Sequence, residues 1–325
     1  MALLNIIQAL NLALHQEFER DSRLLTFGED VGAFGGVFRV TSGLQEKFGE
    51  ARCFDTPLSE QGIIGFGIGI AQKGLKPICE IQFADYIFPG YDQIVNELAK
   101  MRYRTGNQYP ASLLIRTPYG GGIHGGHYHS QSPEAQFLHT PGLCVVVASS
   151  PYDAKGLLAS AIRSPDPVLF LEPKRIYRAL KEEVPTEEYT IPLGVAEVER
   201  VGSDVTLIGW GAQHQQNKEA ADLVKNRYDI SVEVLNLRTL NPLDINTIVA
   251  SVQKTGRCVV AHEAPKTQGF GAEITALIME RCFLHLEAPV KRCCGLDTPF
   301  PNALEAEYLP DAKRIVKALL EVVEY

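Results

Sequence analysis

Apolar residues recur at helical spacing over 4–19 and give way to a short β-prone run at 24–27, which ends in Gly28-Glu29-Asp30. The alternation then repeats. A glycine-rich turn at 32–38 precedes an apolar helix opening at Glu60. Strands are predicted at 77–81, 112–116, 143–148 and 168–171, and helices at 91–104 and 152–162. A long irregular loop, 119–134, interrupts them. The periodicity weakens between 174 and 202. There, Lys181-Glu182-Glu183 together with Pro173, Pro185 and Pro192 predict a linker over the surface. The rhythm restarts with strands at 205–210, 232–237 and 258–261 and helices at 218–227, 245–253, 271–283 and 312–321. Strands alternating with helices in this way predict parallel sheets covered on both faces. The expected fold is α/β, with two open parallel-sheet domains: residues 1–185, a linker over 186–202, and residues 203–325.

Open parallel sheets bind ligands beyond the carboxyl ends of their strands. Three polar groups are predicted there: Gly28-Glu29-Asp30, Gln82-Phe83-Ala84-Asp85-Tyr86 and His262-Glu263. His262-Glu263 is the only polar pair at a strand end of the second domain, and lining an interface would account for it.

Composition narrows the class. The 325 residues are 45% hydrophobic and 22% charged, as in an ordinary globular protein, and the net charge of -8 argues against non-specific nucleic-acid binding. No apolar run reaches the roughly 20 residues that span a bilayer. The first ten residues carry no basic n-region and no cleavage signal, so they read as a helix within the fold, any organellar leader having been removed. The seven cysteines form no C-x-x-C and lie mostly in apolar runs, so the expectation is reduced, buried thiols in a reducing compartment.

Glu60 stands out among the candidate chemical groups. It follows Thr56-Pro57-Leu58-Ser59 and opens the glycine-rich helix. From spacing alone it reads either as a first-turn acid favoured by the helix dipole or as a desolvated carboxyl able to hold a proton near neutral pH. The loop 120–132 holds five glycines and three histidines, so its backbone can approach something closely. A zinc site from His124, His127 and His129 is poorly served by that spacing on a loop. A surface loop and a catalytic loop remain, with His129 as the working histidine and Ser130-Gln131-Ser132 placed to orient its ring. Phe83 and Tyr86 could stack on a flat heterocycle or only pack the strand end. There is no P-loop, no G-x-S-x-G and no Gly-Asp-Gly followed by a distant Asn.

With these residues in place, the chain resembles the β subunits of thiamine-diphosphate-dependent E1 components of 2-oxo acid dehydrogenase complexes, the branched-chain 2-oxoisovalerate dehydrogenases above all. The resemblance runs collinearly through Gly28-Glu29-Asp30-Val31, Phe34-Gly35-Gly36-Val37-Phe38, Thr56-Pro57-Leu58-Ser59-Glu60, Gln82-Phe83-Ala84-Asp85-Tyr86, His129-Ser130-Gln131-Ser132-Pro133-Glu134, Leu171-Glu172-Pro173-Lys174 and Asp297-Thr298-Pro299-Phe300-Pro301. It implies a pyrimidine-binding domain followed by a transketolase C-terminal-like domain. It implies that Glu60, Tyr86, Gln82 and Glu29 line the cofactor's pyrimidine, that Glu60 and His129 are catalytic, and that Mg²⁺ and the diphosphate are held by an α subunit carrying the missing Gly-Asp-Gly motif. A K⁺ site at Ala111, Leu113, Leu114, Ala161, Ser164 and Asp166 is implied too, with Leu114 departing from the threonine of some relatives. The partners implied are two α subunits for two β subunits, an E2 lipoyl acyltransferase and a small 2-oxo acid, with no nucleic acid and no membrane. The compartment would be the cytoplasm of a bacterium, or the mitochondrial matrix for a mature eukaryotic chain. Pyruvate or acetoin dehydrogenase β subunits, and a non-catalytic scaffold subunit, are the rival readings. Asp297 and the carboxylate of Tyr325 are expected to offer charge to a basic E2 module, unless Asp297 only caps a turn before proline.

Overall fold

The computed structural model describes residues 1–325. The chain opens with strand β1 (Ala2–Asn5) and helix α1 (Ile6–Arg20). Asn5 is the cap: its side chain accepts from the Gln8 N–H at 2.9 Å, and the Gln8 side chain accepts from the Asn5 N–H at 3.0 Å. This reciprocal box starts the helix at Ile6, two residues later than the periodicity implied. Then follow β2 (Leu24–Gly28), α2 (Leu44–Phe48), β3 (Cys53–Asp55), α3 (Glu60–Gln72) and β4 (Lys76–Glu80). The helix expected at 91–104 is broken into a π-helical stretch, Gln93–Leu98, and a short α4 (Met101–Arg104). Next come β5 (Leu114–Tyr119), α5 (Glu134–Leu138), β6 (Cys144–Val147), α6 (Pro151–Arg163), β7 (Val168–Pro173) and β8 (Lys181–Val184). β8 contains the charged run read as linker. It pairs antiparallel with β1, because a two-stranded ribbon tolerates charge on its open face.

The remaining elements are β9 (Glu197–Arg200), β10 (Val205–Gly209), α7 (Gly211–Tyr228), β11 (Val232–Asn236), β12 (Thr239–Asn241), α8 (Ile245–Thr255), β13 (Cys258–Pro265), α9 (Phe270–Cys282), β14 (Lys291–Gly295), α10 (Glu305–Tyr308) and α11 (Ala312–Val323). α7 begins seven residues before the apolar pattern does. Its first turns are polar yet buried: Gln213 donates to the Pro310 carbonyl at 3.1 Å, and His214 meets Glu199. Hydrogen bonds rather than apolar periodicity hold that end.

The first sheet has the order β12-β6-β7-β5-β4-β2-β3 and is parallel except at β12, which pairs antiparallel with β6. Its edge strand therefore comes from the second half of the chain. The second sheet, β14-β13-β10-β11-β9, is parallel except at β9. Alternate residues of the first sheet point to opposite faces. Leu24, Ile78, Leu114 and Val146 pack with α1 and α6, while Leu25, Cys79, Ile115 and Val145 join α3 in a cluster that continues into Trp210, Leu235 and Val260 of the second unit. The two units thus share one apolar core.

Beneath the carboxyl ends of β4, β5 and β7 lies a buried ion cluster. Arg116 meets Glu80 and Glu172 at 2.7 Å each, and the Tyr177 hydroxyl donates to Glu172 at 2.6 Å. Burial alone would lower the Arg116 pKa, but the Glu172 and Glu80 charges outweigh it and hold the guanidinium above its ordinary range.

Candidate active site

Neighbouring β5, β4 and β2 run parallel, so their carboxyl ends bring three segments together. These are Glu29-Asp30, residues 82–86 and the loop after Tyr119. Glu60 joins them as the first residue of α3. It is 8% exposed, and no protein donor reaches its carboxylate. Burial raises the Glu29 carboxyl, and the Glu60 and Asp30 charges raise it further. Gln82 spends its amide on Asp30, Nε2 to Oδ2 at 3.1 Å, at the rim of the group.

The central contact is between Tyr86 and His129, Oη to Nε2 at 2.7 Å. Nδ1 of the same ring lies 3.3 Å from the Gly125 carbonyl. A carbonyl only accepts, so Nδ1 carries the proton in the neutral ring and Nε2 accepts from the Tyr86 hydroxyl. Burial raises the Tyr86 pKa, and Asp85, Glu29 and Glu60 add to the rise, so the phenol keeps its proton. Phe83 stands edge-on to His129 with centroids 4.7 Å apart and is buried, whereas Tyr86 is only half-buried. Of the two aromatic candidates, Phe83 packs and Tyr86 presents a polar tip.

One expectation about the loop is corrected. The Ser130 hydroxyl has no partner, and Gln131 donates to the His127 carbonyl at 2.7 Å, so neither orients the His129 ring. That task falls to Tyr86 and Gly125. Asp85, not singled out from the sequence, instead anchors the loop: its Oδ1 accepts from the Ser130 and Gln131 N–H groups at 3.2 and 3.0 Å. The other two histidines go elsewhere, His124 to the Asn302 carbonyl and His127 against the Tyr128 ring.

Gly120 and Gly121 of the loop face the second unit, and Gly122 faces Arg175 at the junction. A Cβ on Gly120, where φ is +77°, would sit 2.6 Å from Glu263 Oε2, and one on Gly122 would sit 2.7 Å from Arg175 Cα. Glu263 pairs with Arg175 at 2.7 Å across the junction. Its neighbour His262 stacks on Trp210 and is held near pKa 4 by burial, hence neutral. Lys174 is 5% exposed, without a hydrogen bond, 5.6 Å over the Phe83 ring. Burial lowers it to about 8 against the pull of Asp85, Glu263 and Glu305.

The segments expected to hold K⁺ lie side by side. Ser112 Oγ donates to the Ser164 carbonyl at 2.6 Å, and the Val168 N–H to the Leu113 carbonyl at 3.0 Å. The Asp166 carboxylate is engaged by Arg102, which leaves main-chain oxygens as the donors in this region. Asp297 gives both carboxylate oxygens to Thr267, at 2.8 and 2.7 Å, and shares its pocket with Lys266, Lys291, Arg292, Arg314 and Lys317. Those hydrogen bonds hold its carboxyl below the usual range. Asp297 therefore ties down the Thr267 loop rather than capping its own turn, and a basic module would meet a mainly basic surround.

Comparison with known proteins agrees with the architecture. Residues 3–179 match the family model described as transketolase, pyrimidine binding domain, and residues 194–315 match transketolase, C-terminal domain. The chain is 58% identical over 323 residues to 2-oxoisovalerate dehydrogenase subunit beta 2, mitochondrial, of Arabidopsis thaliana, covering 99% of this chain and 90% of that one. It is 55% identical to the mitochondrial subunit beta of Dictyostelium discoideum over 99% of this chain and 87% of that one. Identity to the pyruvate dehydrogenase E1 component subunit beta of Staphylococcus epidermidis is 48%, covering both chains fully. Among solved structures, a split gene transketolase described as an inactive beta4 tetramer shares the fold, with a TM-score of 0.80 at 20% identity over 99% of each chain. A chain with both transketolase domains and near full-length identity of this order belongs to the family of 2-oxo acid dehydrogenase β subunits.

Proposed function

We propose that the chain is the β half of a branched-chain 2-oxo acid dehydrogenase E1 enzyme. Working with an α subunit, it decarboxylates a 2-oxo acid and passes the acyl group to the lipoyl group of an E2 acyltransferase. The observation that carries the reading is the convergence of an unpartnered, buried Glu60 carboxylate with the Tyr86–His129 pair. This donor set fits thiamine diphosphate: Glu60 would hold a pyrimidine nitrogen, with Tyr86, Glu29 and Gln82 around the ring. When bound, the cofactor supplies the carbon nucleophile and the electron sink for decarboxylation. The chain's own part is position and proton transfer. Glu60 accepts and returns a proton at that nitrogen, and His129 acts as the acid in its doubly protonated form, when Nε2 carries a proton that it can donate to a developing oxygen or sulfur anion. Mg²⁺ and the diphosphate fall to the α subunit, since this chain has no Gly-Asp-Gly motif.

A branched substrate is favoured by the 58% and 55% identity to the Arabidopsis and Dictyostelium 2-oxoisovalerate dehydrogenase subunits, against 48% to the pyruvate enzyme, although the Pseudomonas aeruginosa 2-oxoisovalerate dehydrogenase subunit stands at 47%. The complex reconstituted with its α subunit is expected to show a higher kcat/KM on 3-methyl-2-oxobutanoate than on pyruvate. The reverse order would assign it to the pyruvate enzymes, and no activity on either would favour a scaffold. Run in NaCl instead of KCl, the same assay tests K⁺ held by main-chain oxygens of Ala111, Leu113, Leu114, Ala161, Ser164 and Asp166: activity and thermal midpoint should both fall.

Assembly through the glycine helix is part of this reading. Gly67 packs inward, where a Cβ would lie 2.6 Å from Cys79 Sγ, but Gly69 has nothing within 4 Å and Gly65 only Gln93 at 4.0 Å. With Phe66 53% exposed beside them, the outer face of α3 is open and apolar. Gly69→Leu should leave the single chain at least as stable, since leaving glycine favours a helix by about 1 kcal/mol. The variant should nevertheless dissociate from α and β partners at low concentration. An unchanged oligomer mass would remove α3 from the interface.

A further inference from the structure

We infer that the second unit sets the position of the His129 loop through two buried carboxylates, Glu305 and Glu263, which makes them positioning residues for the reaction. The inference rests on the proposed role of His129. A stretch with five glycines between 120 and 126 has little conformational preference of its own, so something outside it must order it. Glu305, the first residue of α10, is 5% exposed. Its Oε1 accepts from the Gly122 N–H at 2.8 Å and its Oε2 from the His124 N–H at 3.1 Å. One carboxylate thereby grips two amides of the loop. Glu263 Oε2 accepts from the Gly121 N–H at 3.3 Å. Downstream of His129, Asp85 of the first unit grips Ser130 and Gln131. The histidine is thus suspended between a hold from each unit.

The glycines make the upstream hold sterically feasible. A Cβ on Gly121 would lie 2.9 Å from Phe300 Cζ and 3.0 Å from Leu309 Cδ1, so these apolar side chains seat directly on the backbone there. Phe300, Tyr308 and Leu309 form a small cluster of their own around this contact. The Asp297-Thr298-Pro299-Phe300-Pro301 run therefore delivers Phe300 to the loop. Lys174 and Arg175 face the same acids and balance their charge. The link to chemistry is short. Gly125 lies one residue after His124, and its carbonyl fixes the proton on His129 Nδ1, which leaves Nε2 for Tyr86. If Glu305 releases Gly122 and His124, Gly125 is free to shift and the ring loses both its tautomer and its aim.

The test compares Glu305→Gln, the shorter Glu305→Asp, His129→Ala and the double variant Glu305→Gln/His129→Ala in the reconstituted complex with its α subunit. Glu305→Gln is expected to cut kcat about tenfold with KM within twofold. Amide exchange should rise at 121–124 and stay at the parent level at 130–131. In the His129→Ala background, adding Glu305→Gln should cost less than a further twofold, because the carboxylate acts through the histidine. Parent kcat and parent exchange in Glu305→Gln would overturn the inference, and so would losses that multiply in the double variant. If Glu305→Gln does not assemble, Glu305→Asp carries the same test, since it keeps the charge but loses the reach. If His129→Ala itself keeps full turnover, the assignment of His129 fails instead, and exchange at 121–124 alone decides whether Glu305 holds the loop.

Discussion

Glu60→Gln is expected to leave the complex assembled while turnover falls by roughly 10²–10⁴-fold, the range for losing a positioned acid–base group. The isosteric amide keeps the start of α3 and its packing, so the fold has no reason to respond. What changes is the ability to take a proton. In the structure the Glu60 carboxylate sits beside Glu29, whose own carboxyl is raised by burial and by the Glu60 charge. No donor of this chain reaches Glu60, and in the proposed reading its partner arrives with the cofactor. Hydrogen–deuterium exchange at the thiazolium carbon of bound thiamine diphosphate separates the readings. Exchange at the parent rate in the variant would remove Glu60 from the proton path, and full turnover would return it to the role of a helix-dipole acid.

The second large effect is on stability. Arg116→Leu should destabilise the chain by about 3–5 kcal/mol, because it strands two buried carboxylates, Glu80 and Glu172, without their shared cation. The cluster stacks directly under the site: Phe38 lies between Tyr177 and Phe83, which in turn meets His129. The loss should depend on pH in a definite direction. Burial already raises the Glu172 carboxyl against the pull of Arg116, and without Arg116 it rises further, so the folded variant binds more protons than the folded parent. The variant's stability then falls as pH rises through that raised value, and the deficit against the parent is smaller near pH 5 than near pH 8. Urea midpoints at the two pH values check this. A deficit under 1 kcal/mol at pH 8 would mean that the cluster relaxes or hydrates when the arginine is removed.

The repeating strand–helix rhythm was legible because the central strands are buried on both faces and read as continuous apolar runs such as Val145-Val146-Val147. Strands at the margins escaped for the opposite reason. β8, β9 and the start of β14 are charged on an open face, and β12 has three residues whose partner lies in another part of the chain. The start of α7 escaped because its buried face is polar. In the site, Glu60 stood out because it opens a helix, Tyr86 because it follows a strand end, and His129 because it lies in a long glycine-rich loop. Their mutual geometry did not. Tyr86 and His129 are 43 residues apart, and Glu305 and His124 are 181 apart. Nothing in the local spacing of either partner encodes such a meeting. The same holds for the loop glycines: their number signals close approach, but only the folded chain shows that what approaches is Glu263, Arg175 and Phe300 rather than a phosphate.

The edge strand β12 bears on how the protein is made. A ribosome releases β6 well before residues 239–241 exist, roughly 90 residues of synthesis earlier, or on the order of ten seconds at roughly 5–20 residues per second. Through that interval the nascent first sheet ends in a bare row of amides and carbonyls on Val145 and Val146, the kind of edge that recruits strands from neighbouring chains. Closure waits for the second unit to emerge and fold its own strand back across the first. The halves are therefore successive stages of one folding event, and a cell making this protein in quantity must shield that edge until the chain is nearly three-quarters complete.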